Sequence, residues 1–522
     1  MITLRPYQED AIQMGVDRGS ILLALTMGAG KTAVALITAK RLRDKTPGIQ
    51  TIVFCTNSLK YQWVSEIGKW DEGATSVVID GTKAKRRKQY ESAADADYVI
   101  LSYDMLIHDW AEIVRDLRCD VLIADECTMI KSFQAKRSKR LKTLAKRSSH
   151  RIGLSGQPVE NRPEELFSIM EFVDPEVLGS FPRFDRTFIE RDSWGKPQLY
   201  KNLNVLHDRL DVAMYRKSRA DIAEFLPQRQ ETDLPIKLDP KCGSLYEFIR
   251  KDTLALIEEA AEDASFQGFD LLAHYGRADA DQGGRLKGQI MSRVTCMRLL
   301  VNHPDLLLAS AEDFDNDETA SGSAYASILL AEDRLKSLPS SSSKLDALLD
   351  TVTEIFAEDG DQKIVIFSGF KPMLRIIGDA LRVQKIGYTS MTGDTPAKVR
   401  HERITRFNTD PKCRLFLSSD AGAYGVNLDS GTHLINYDLP WSAGALQQRV
   451  ARIDRTSTLH KRIDILYLYA HGTIEERQFQ MLKEKSRIAD AFIDGQGYSL
   501  KSGVLDLDLS SLKEFLQTNT AK

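Results

Sequence analysis

Six cysteines in 522 residues, with no CxxC pair among them, give neither the spacing of a zinc site nor the density of a disulfide framework. Cys55, Cys119, Cys127, Cys242, Cys296 and Cys413 are scattered and read as reduced thiols of a cytosolic protein. No run reaches the roughly 18 apolar residues that a membrane span needs. The opening MITLRPYQED has no apolar stretch of the kind a secretory leader carries. A basic excess is also lacking: 71 Lys and Arg stand against 74 Asp and Glu, a net charge of −3. That excludes a generally basic nucleic-acid coat but leaves room for a local basic track. What remains, 42% hydrophobic and 28% charged residues, is the composition of a globular chain able to bury sizeable cores.

The length suits two to four domains. Short apolar runs at Ile21–Leu25, Thr51–Cys55, Tyr98–Ser102, Val121–Ala124 and Arg151–Leu154 alternate with helical stretches. Near-continuous apolar runs of this kind are buried on both faces of a parallel sheet, so the first 230 residues predict a doubly wound α/β lobe. Residues 231–343 predict a helical insertion and linker, with Glu312 to Ser343, acidic and serine-rich, as a surface loop. A second α/β alternation covers 344–487, with strands at Ile364–Ser368, Tyr388–Met391, Arg414–Ser418, His433–Tyr437 and Asp464–Tyr469. The tail, 488–522, is less patterned.

Three constellations carry chemistry. The run Ile21–Leu25 leads into TMGAGKT and then a helical stretch, the strand–loop–helix context of a phosphate loop. Gly28 and Gly30 let backbone N–H groups approach a phosphate, Lys31 suits the β- and γ-phosphates, and the Thr32 hydroxyl suits Mg²⁺. Next, VLIADE places Asp125 and Glu126 at the C-terminal end of a buried strand, where parallel sheets meet their ligands. Asp125 is the candidate metal ligand and Glu126 the candidate base that activates water. Last, QQRVARIDR spaces Arg449, Arg452 and Arg455 three apart on one helical side. Guanidinium groups aimed at a γ-phosphate neutralise charge in phosphoryl transfer, which makes Arg452 and Arg455 candidate fingers.

In this order the motifs resemble the superfamily-two helicases, and within them the Swi/Snf-type DNA translocases. LRPYQ looks like the family's adenine-reading segment, with Gln8 as the expected base contact and Arg5 as a further nucleotide-binding residue, and Met27 and Ala29 complete the nucleotide loop. LSGQPVENRPEELFSIMEFVDP resembles the coupling motif, with Ser155 and Gln157 linking nucleotide state to DNA grip. SSDAGAYGVNL resembles a second-lobe motif in which Gly425 and Asn427 face the nucleotide. Departures from the pattern are Leu25 and Thr26 before the loop's Met, Cys127 and Thr128 after the acidic pair, Gln157 where Thr is common, and Arg455 where Gln is common.

The resemblance implies two RecA-like lobes, ATP and Mg²⁺ as cofactors, and a DNA-dependent ATPase whose lobes open and close on each ATP. It implies double-stranded DNA as partner, with strand separation or branch migration at forks, junctions or R-loops as the alternative activity. A scaffold with a decayed site is disfavoured, because Lys31, Thr32, Asp125, Glu126 and Arg452 are all present. No appended reader, zinc or nuclease module is found, so the expectation is a stand-alone bacterial or phage motor, working in the cytoplasm or nucleoid. Residues 131–151 hold nine Lys or Arg and no acid, and KAKRRK at 83–88 holds five more. Lys136, Arg137, Lys139 and Arg140 are the expected phosphate contacts of this track. Lys60, Tyr103, Ser368, Thr392 and Ser419 stand where the family's strand-contacting loops lie. Trp63 and Trp70 fit core positions, and no aromatic array suggests a single-strand platform.

Overall fold

The computed structural model describes residues 4–159, 162–193, 197–261, 284–315, 322–358, 361–423, 426–458, 460–493, 499–501 and 509–517. The chain forms two compact units. The first comprises Met1–Pro227, Asp454–Ser457 and Lys485–Leu505, and the second Gln228–Ile453, Thr458–Glu484 and Asp506–Lys522.

In the first unit the strands are β1 (Ser20–Leu25), β2 (Thr51–Cys55), β3 (Ser76–Val78), β4 (Tyr98–Ser102), β5 (Val121–Ala124), β6 (His150–Leu154), β7 (Ile189–Arg191), β8 (Pro197–Lys201) and β9 (Met214–Lys217). Seven of them make a parallel sheet in the order β3-β4-β2-β5-β6-β1-β9. Alternate residues of its strands enter two different cores: Leu22, Phe54, Val99, Leu101 and Leu122 on one face, Ile21, Leu23, Val53, Ile100 and Ile123 on the other. Helices therefore cover both faces, which is why the sequence shows unbroken apolar runs rather than alternation. The short strands β7 and β8 form an antiparallel ribbon, joined by β16 (Ser499–Lys501) from the tail.

The second unit holds β10 (Gln228–Ile236), β11 (Ile364–Phe367), β12 (Thr389–Met391), β13 (Leu415–Ser418), β14 (His433–Asn436) and β15 (Arg462–Ala470). They form a parallel sheet ordered β10-β15-β14-β11-β13-β12. Helices Pro240–Ala261, Gly284–Asn302, Pro304–Asp315 and Ser343–Glu358 share one core with Ile364, Ile366, Leu415, Leu417 and Leu468 of this sheet. The α/β class with two parallel-sheet lobes is thus the observed architecture.

One sequence expectation changes, and two stretches hold elements that the sequence reading did not name. The loop expected over Glu312 to Ser343 contains helix Ala324–Ala331, which buries Tyr325, Ala326 and Leu329. Its flanking acids and serines hid an apolar helical stretch. The unpatterned tail supplies β16 and helix Leu509–Gln517, whose Leu512, Phe515 and Leu516 enter the second unit's core. Strand β10, QRQETDLPI, has no apolar signature because its exposed edge position allows polar residues. No helix among the described residues is long and apolar enough to cross a membrane.

Candidate functional site

The phosphate loop follows β1 and precedes helix Lys31–Lys45. Gly28 and Gly30 have φ of 79° and 82°, a backbone that only glycine adopts at little cost. A Cβ on Gly28 would lie 2.5 Å from the Asp454 carbonyl oxygen, and one on Gly30 would lie 2.4 Å from Gln8 Nε2. Both glycines are therefore fixed by conformation and by space. Lys31 Nζ donates to the carbonyls of Leu25 at 3.1 Å and Thr26 at 3.4 Å, so its ammonium folds back over the loop mouth. Thr32 is half-buried in the helix's first turn.

Helix Pro6–Arg18 braces the loop from outside. Tyr7 Oη and Gln8 Nε2 both donate to the Ala29 carbonyl at 2.9 Å. Gln8, expected at the adenine base, thus spends one amide proton on holding the loop, and Tyr7, in the same LRPYQ segment but given no role from the sequence, does so through its hydroxyl. Arg5 caps that helix and lies over the Phe225 ring, 5.0 Å from its centroid. Met27 packs against the coupling segment, where a Cβ on Gly156 would stand 2.5 Å from its Cγ.

Asp125 and Glu126 follow β5. Asp125 is 8% exposed, and its Oδ2 accepts a 2.9 Å hydrogen bond from Trp63 Nε1. Burial pushes its carboxyl above the ordinary range, while the Trp63 N–H and the Lys31 charge pull it down. Tyr103 Oη donates to the Asp125 carbonyl at 2.7 Å. Glu126 sits in the left-handed region, φ 49° and ψ 58°, uncommon for a residue with a side chain and typical of strained functional positions. The donor set, the Asp125 carboxylate within reach of the Lys31 charge and the Thr32 hydroxyl in the first turn of the helix after the loop, is hard oxygen chemistry that fits Mg²⁺. Among the described residues no cluster of three or more His, Cys, Asp or Glu side chains forms a separate metal cage. The coupling segment adjoins this end of the sheet: Ser155 N–H donates to the Leu23 carbonyl, and Ser155 Oγ accepts from Gln157 N–H at 3.1 Å. The Gln157 amide is buried, and neither its oxygen nor its nitrogen has a hydrogen-bond partner among the described residues.

The segment Asp454–Ser457 belongs to the first unit and runs beside the loop. Thr456 donates to the Gly28 carbonyl through Oγ1 at 3.1 Å and through its backbone N–H at 3.3 Å. Arg219 pairs with Asp454 at 2.8 Å. Arg455 Cα would come within 3.0 Å of a Cβ on Gly28.

In the second unit, Arg452 is 8% exposed and donates to the Val426 carbonyl at 3.4 Å. Arg449 is held away from solvent by a forked bond to Asp420, at 2.5 and 2.9 Å, and by the Asp438 carbonyl. The Asn427 carbonyl accepts from Asn408 at 2.9 Å, and Gly425 lies outside the described residues.

The expected DNA contacts divide. Lys60 is 1% exposed and bonds Asp80 at 2.8 Å, and Tyr103 is 1% exposed on Asp125, so neither presents to a phosphate in this structure. Arg140 turns inward, donating to the Leu106 and Ile107 carbonyls and stacking over Trp110. Ser368 Oγ is buried on Asp438, and Ser419 Oγ is buried, accepting from Gly422 N–H. Thr392 is half-buried, its N–H on Thr395 Oγ1 at 3.0 Å. Lys136 and Lys139 are exposed and Arg137 half-buried. Residue type carried the basic-track expectations and position in a resembled motif carried the others, and neither says which way a side chain points. Trp63 is the functional candidate that sequence reasoning assigned only to the core. Nothing local to it signals a partner 62 positions away.

Two family models match: the SNF2-related domain over residues 7–280 and the helicase conserved C-terminal domain over residues 343–457. Across 98% of its length the chain is 26% identical to the human TATA-binding protein-associated factor 172, of which it covers 29%. It is 25% identical to a DNA repair and recombination protein RAD54-like of Drosophila ananassae, of which it covers 65%. The chain thus spans less than two thirds of these relatives' length. The Hef helicase domain of Pyrococcus furiosus superposes over 91% of this chain and 98% of its own, with a TM-score of 0.54 and 14% identity, a likeness of fold. Because the first model takes in more than half of the sequence and the second follows it in order, the chain belongs to the family of SNF2-related proteins with a helicase C-terminal domain.

Proposed function

We propose that this chain is a DNA-dependent ATPase that couples ATP hydrolysis to movement along double-stranded DNA. The observation that carries the reading is the meeting, at the C-terminal ends of β1 and β5, of a positive-φ glycine loop with Lys31 and a buried Asp125 held by Trp63. Membership of the family supports nucleotide use, and the name of the RAD54-like relative supports DNA as the polymer.

Lys31 and the loop N–H groups hold the β- and γ-phosphates. Thr32 and Asp125 would hold Mg²⁺, which would neutralise charge on the phosphates when bound. Glu126 orients the attacking water and takes its proton. Arg455, beside the loop, supplies further positive charge to the phosphates. Ser155 and Gln157 relay the state of this site, Gln157 through the amide whose hydrogen bonds are unmade here.

Trp63 fixes one carboxylate oxygen of Asp125 and leaves the other for the metal shell. Partners of this kind are worth about 10–100-fold in metal affinity or activity. Trp63→Phe keeps the ring and removes the N–H. It should raise the Mg²⁺ concentration for half-maximal ATPase about tenfold, with much of the rate recovered at saturating Mg²⁺. A Mg²⁺ titration superimposable on wild type would show that Trp63 only packs.

The test of the proposed function is ATPase activity with duplex, single-stranded, forked and four-way DNA and with RNA. Duplex of any sequence should stimulate. Stimulation confined to single strands or RNA would replace this reading with that of a strand-separating helicase.

A further inference from the structure

A basic pocket of about 380 Å³ lies in the first unit, and none of its lining residues belongs to the phosphate loop or the acidic pair. Helix Lys136–Ala145 presents Lys139 and Lys142, with Lys146 just beyond its end, at three- and four-residue spacing, so one side carries all three. Arg151 of β6 and Glu171 of helix Pro163–Val173 contribute the remaining charges. Phe133 adds a ring that is 41% exposed and rests on Phe181 at 5.3 Å.

The charges do not balance. Glu171 is engaged by Lys142 at 2.7 Å, and Lys142 also donates to Ser168 Oγ. Lys139 and Lys146 are exposed, with no carboxylate partner among the described residues. Arg151 donates through Nε to Ser20 Oγ at 3.2 Å, and the neighbouring Asp174 is paired with Arg18 at 3.0 Å. Lys139 and Lys146, without a carboxylate among the described residues, thus border a concave surface together with Arg151, which shares the attraction of Asp174 with Arg18, and low-dielectric walls focus their field. The volume lies in the small-ligand range. Arg140 of the same helix points the other way, into the Leu106 and Ile107 carbonyls, so the basic segment is not one continuous stripe.

We propose that this pocket binds a phosphate ester or anhydride, with Lys139, Lys146 and Arg151 on the oxyanions. The chemistry suits two sources, a phosphodiester of a nucleic-acid strand or a free polyphosphate. The proposal is independent of the ATPase reading, since no residue of that site takes part.

The probe is inorganic pyrophosphate, titrated calorimetrically into the full chain carrying Lys31→Ala, which disables the phosphate loop as a competing site. Saturable binding is expected. Adding Lys139→Gln with Lys146→Gln should weaken it at least tenfold. Adding Lys136→Gln with Arg137→Gln, on the same helix but outside the pocket, should leave it unchanged. Absence of saturable binding in the parent, or equal weakening by both pairs, overturns the pocket. Lys136, Lys139 and Lys146 are exposed and Arg137 is half-buried, and unchanged melting of the variants excludes misfolding as the cause. With Lys31 intact, the source is read from duplex affinity against salt. If Lys139 and Lys146 each neutralise one phosphodiester, their removal should reduce the log–log slope by about 1.8, at roughly 0.9 each. An unchanged slope alongside abolished pyrophosphate binding assigns the pocket to a free polyphosphate.

Discussion

Lys31→Ala should abolish ATP turnover, and Glu126→Gln should hydrolyse ATP about 10²–10⁴-fold more slowly while still binding it. The two changes separate ground-state charge from proton transfer. Lys31 is anchored by the carbonyls of Leu25 and Thr26, so its ammonium is already placed at the loop mouth, and alanine removes both the charge and the anchor. Glu126 differs. Its backbone is held in the left-handed region by the turn after β5, and glutamine tolerates that backbone as glutamate does. Only basicity is lost. Steady-state kinetics with saturating DNA, together with binding of a fluorescent nucleotide, check both. Wild-type turnover by Glu126→Gln would assign the acidic pair to the turn alone.

Lys344→Met should destabilise the second unit by about 3–5 kcal/mol, the cost of leaving a buried charge without its partner. Lys344 and Glu475 are 0% and 1% exposed, and Lys344 Nζ bonds both Glu475 oxygens, at 2.7 and 2.6 Å, and Asn302 Oδ1 at 3.1 Å. The Tyr437 ring lies 5.0 Å from the ammonium, and Glu475 accepts a further bond from Ala470 N–H. Methionine fills the stem but strands the carboxylate. Combining Lys344→Met with Glu475→Gln removes the stranded charge and should restore a large part of the stability. Native-state hydrogen exchange of the β15 amides reads the change within this unit. A shift below about 1 kcal/mol for the single variant would mean that water or rearrangement reaches the site.

What the sequence made legible was local. The phosphate loop is seven consecutive residues whose glycines and lysine act through their own backbone and side chains. The parallel strands are short apolar runs, legible at Thr51–Cys55 and Tyr98–Ser102 because burial on both faces leaves no polar alternative. What stayed hidden depends on contacts between distant segments. β10 is polar and pairs with β15 over nine residues, Gln228 with Arg462 through Ile236 with Ala470, a register that no local pattern encodes. Trp63 reads as a core tryptophan until the fold brings Asp125 to its N–H. The basic residues after the acidic pair read as one DNA track, yet Arg140 caps carbonyls while Lys139, Lys142 and Lys146 line a pocket. Composition counts charges, and only packing says which face they occupy.

The coupling of hydrolysis to movement is tested most directly by displacement of a third strand from a triplex built on otherwise intact duplex DNA. Wild-type chain with ATP and Mg²⁺ should release that strand without separating the duplex beneath it, and Glu126→Gln should release none. Duplex-stimulated ATP hydrolysis with the third strand still bound would contradict translocation.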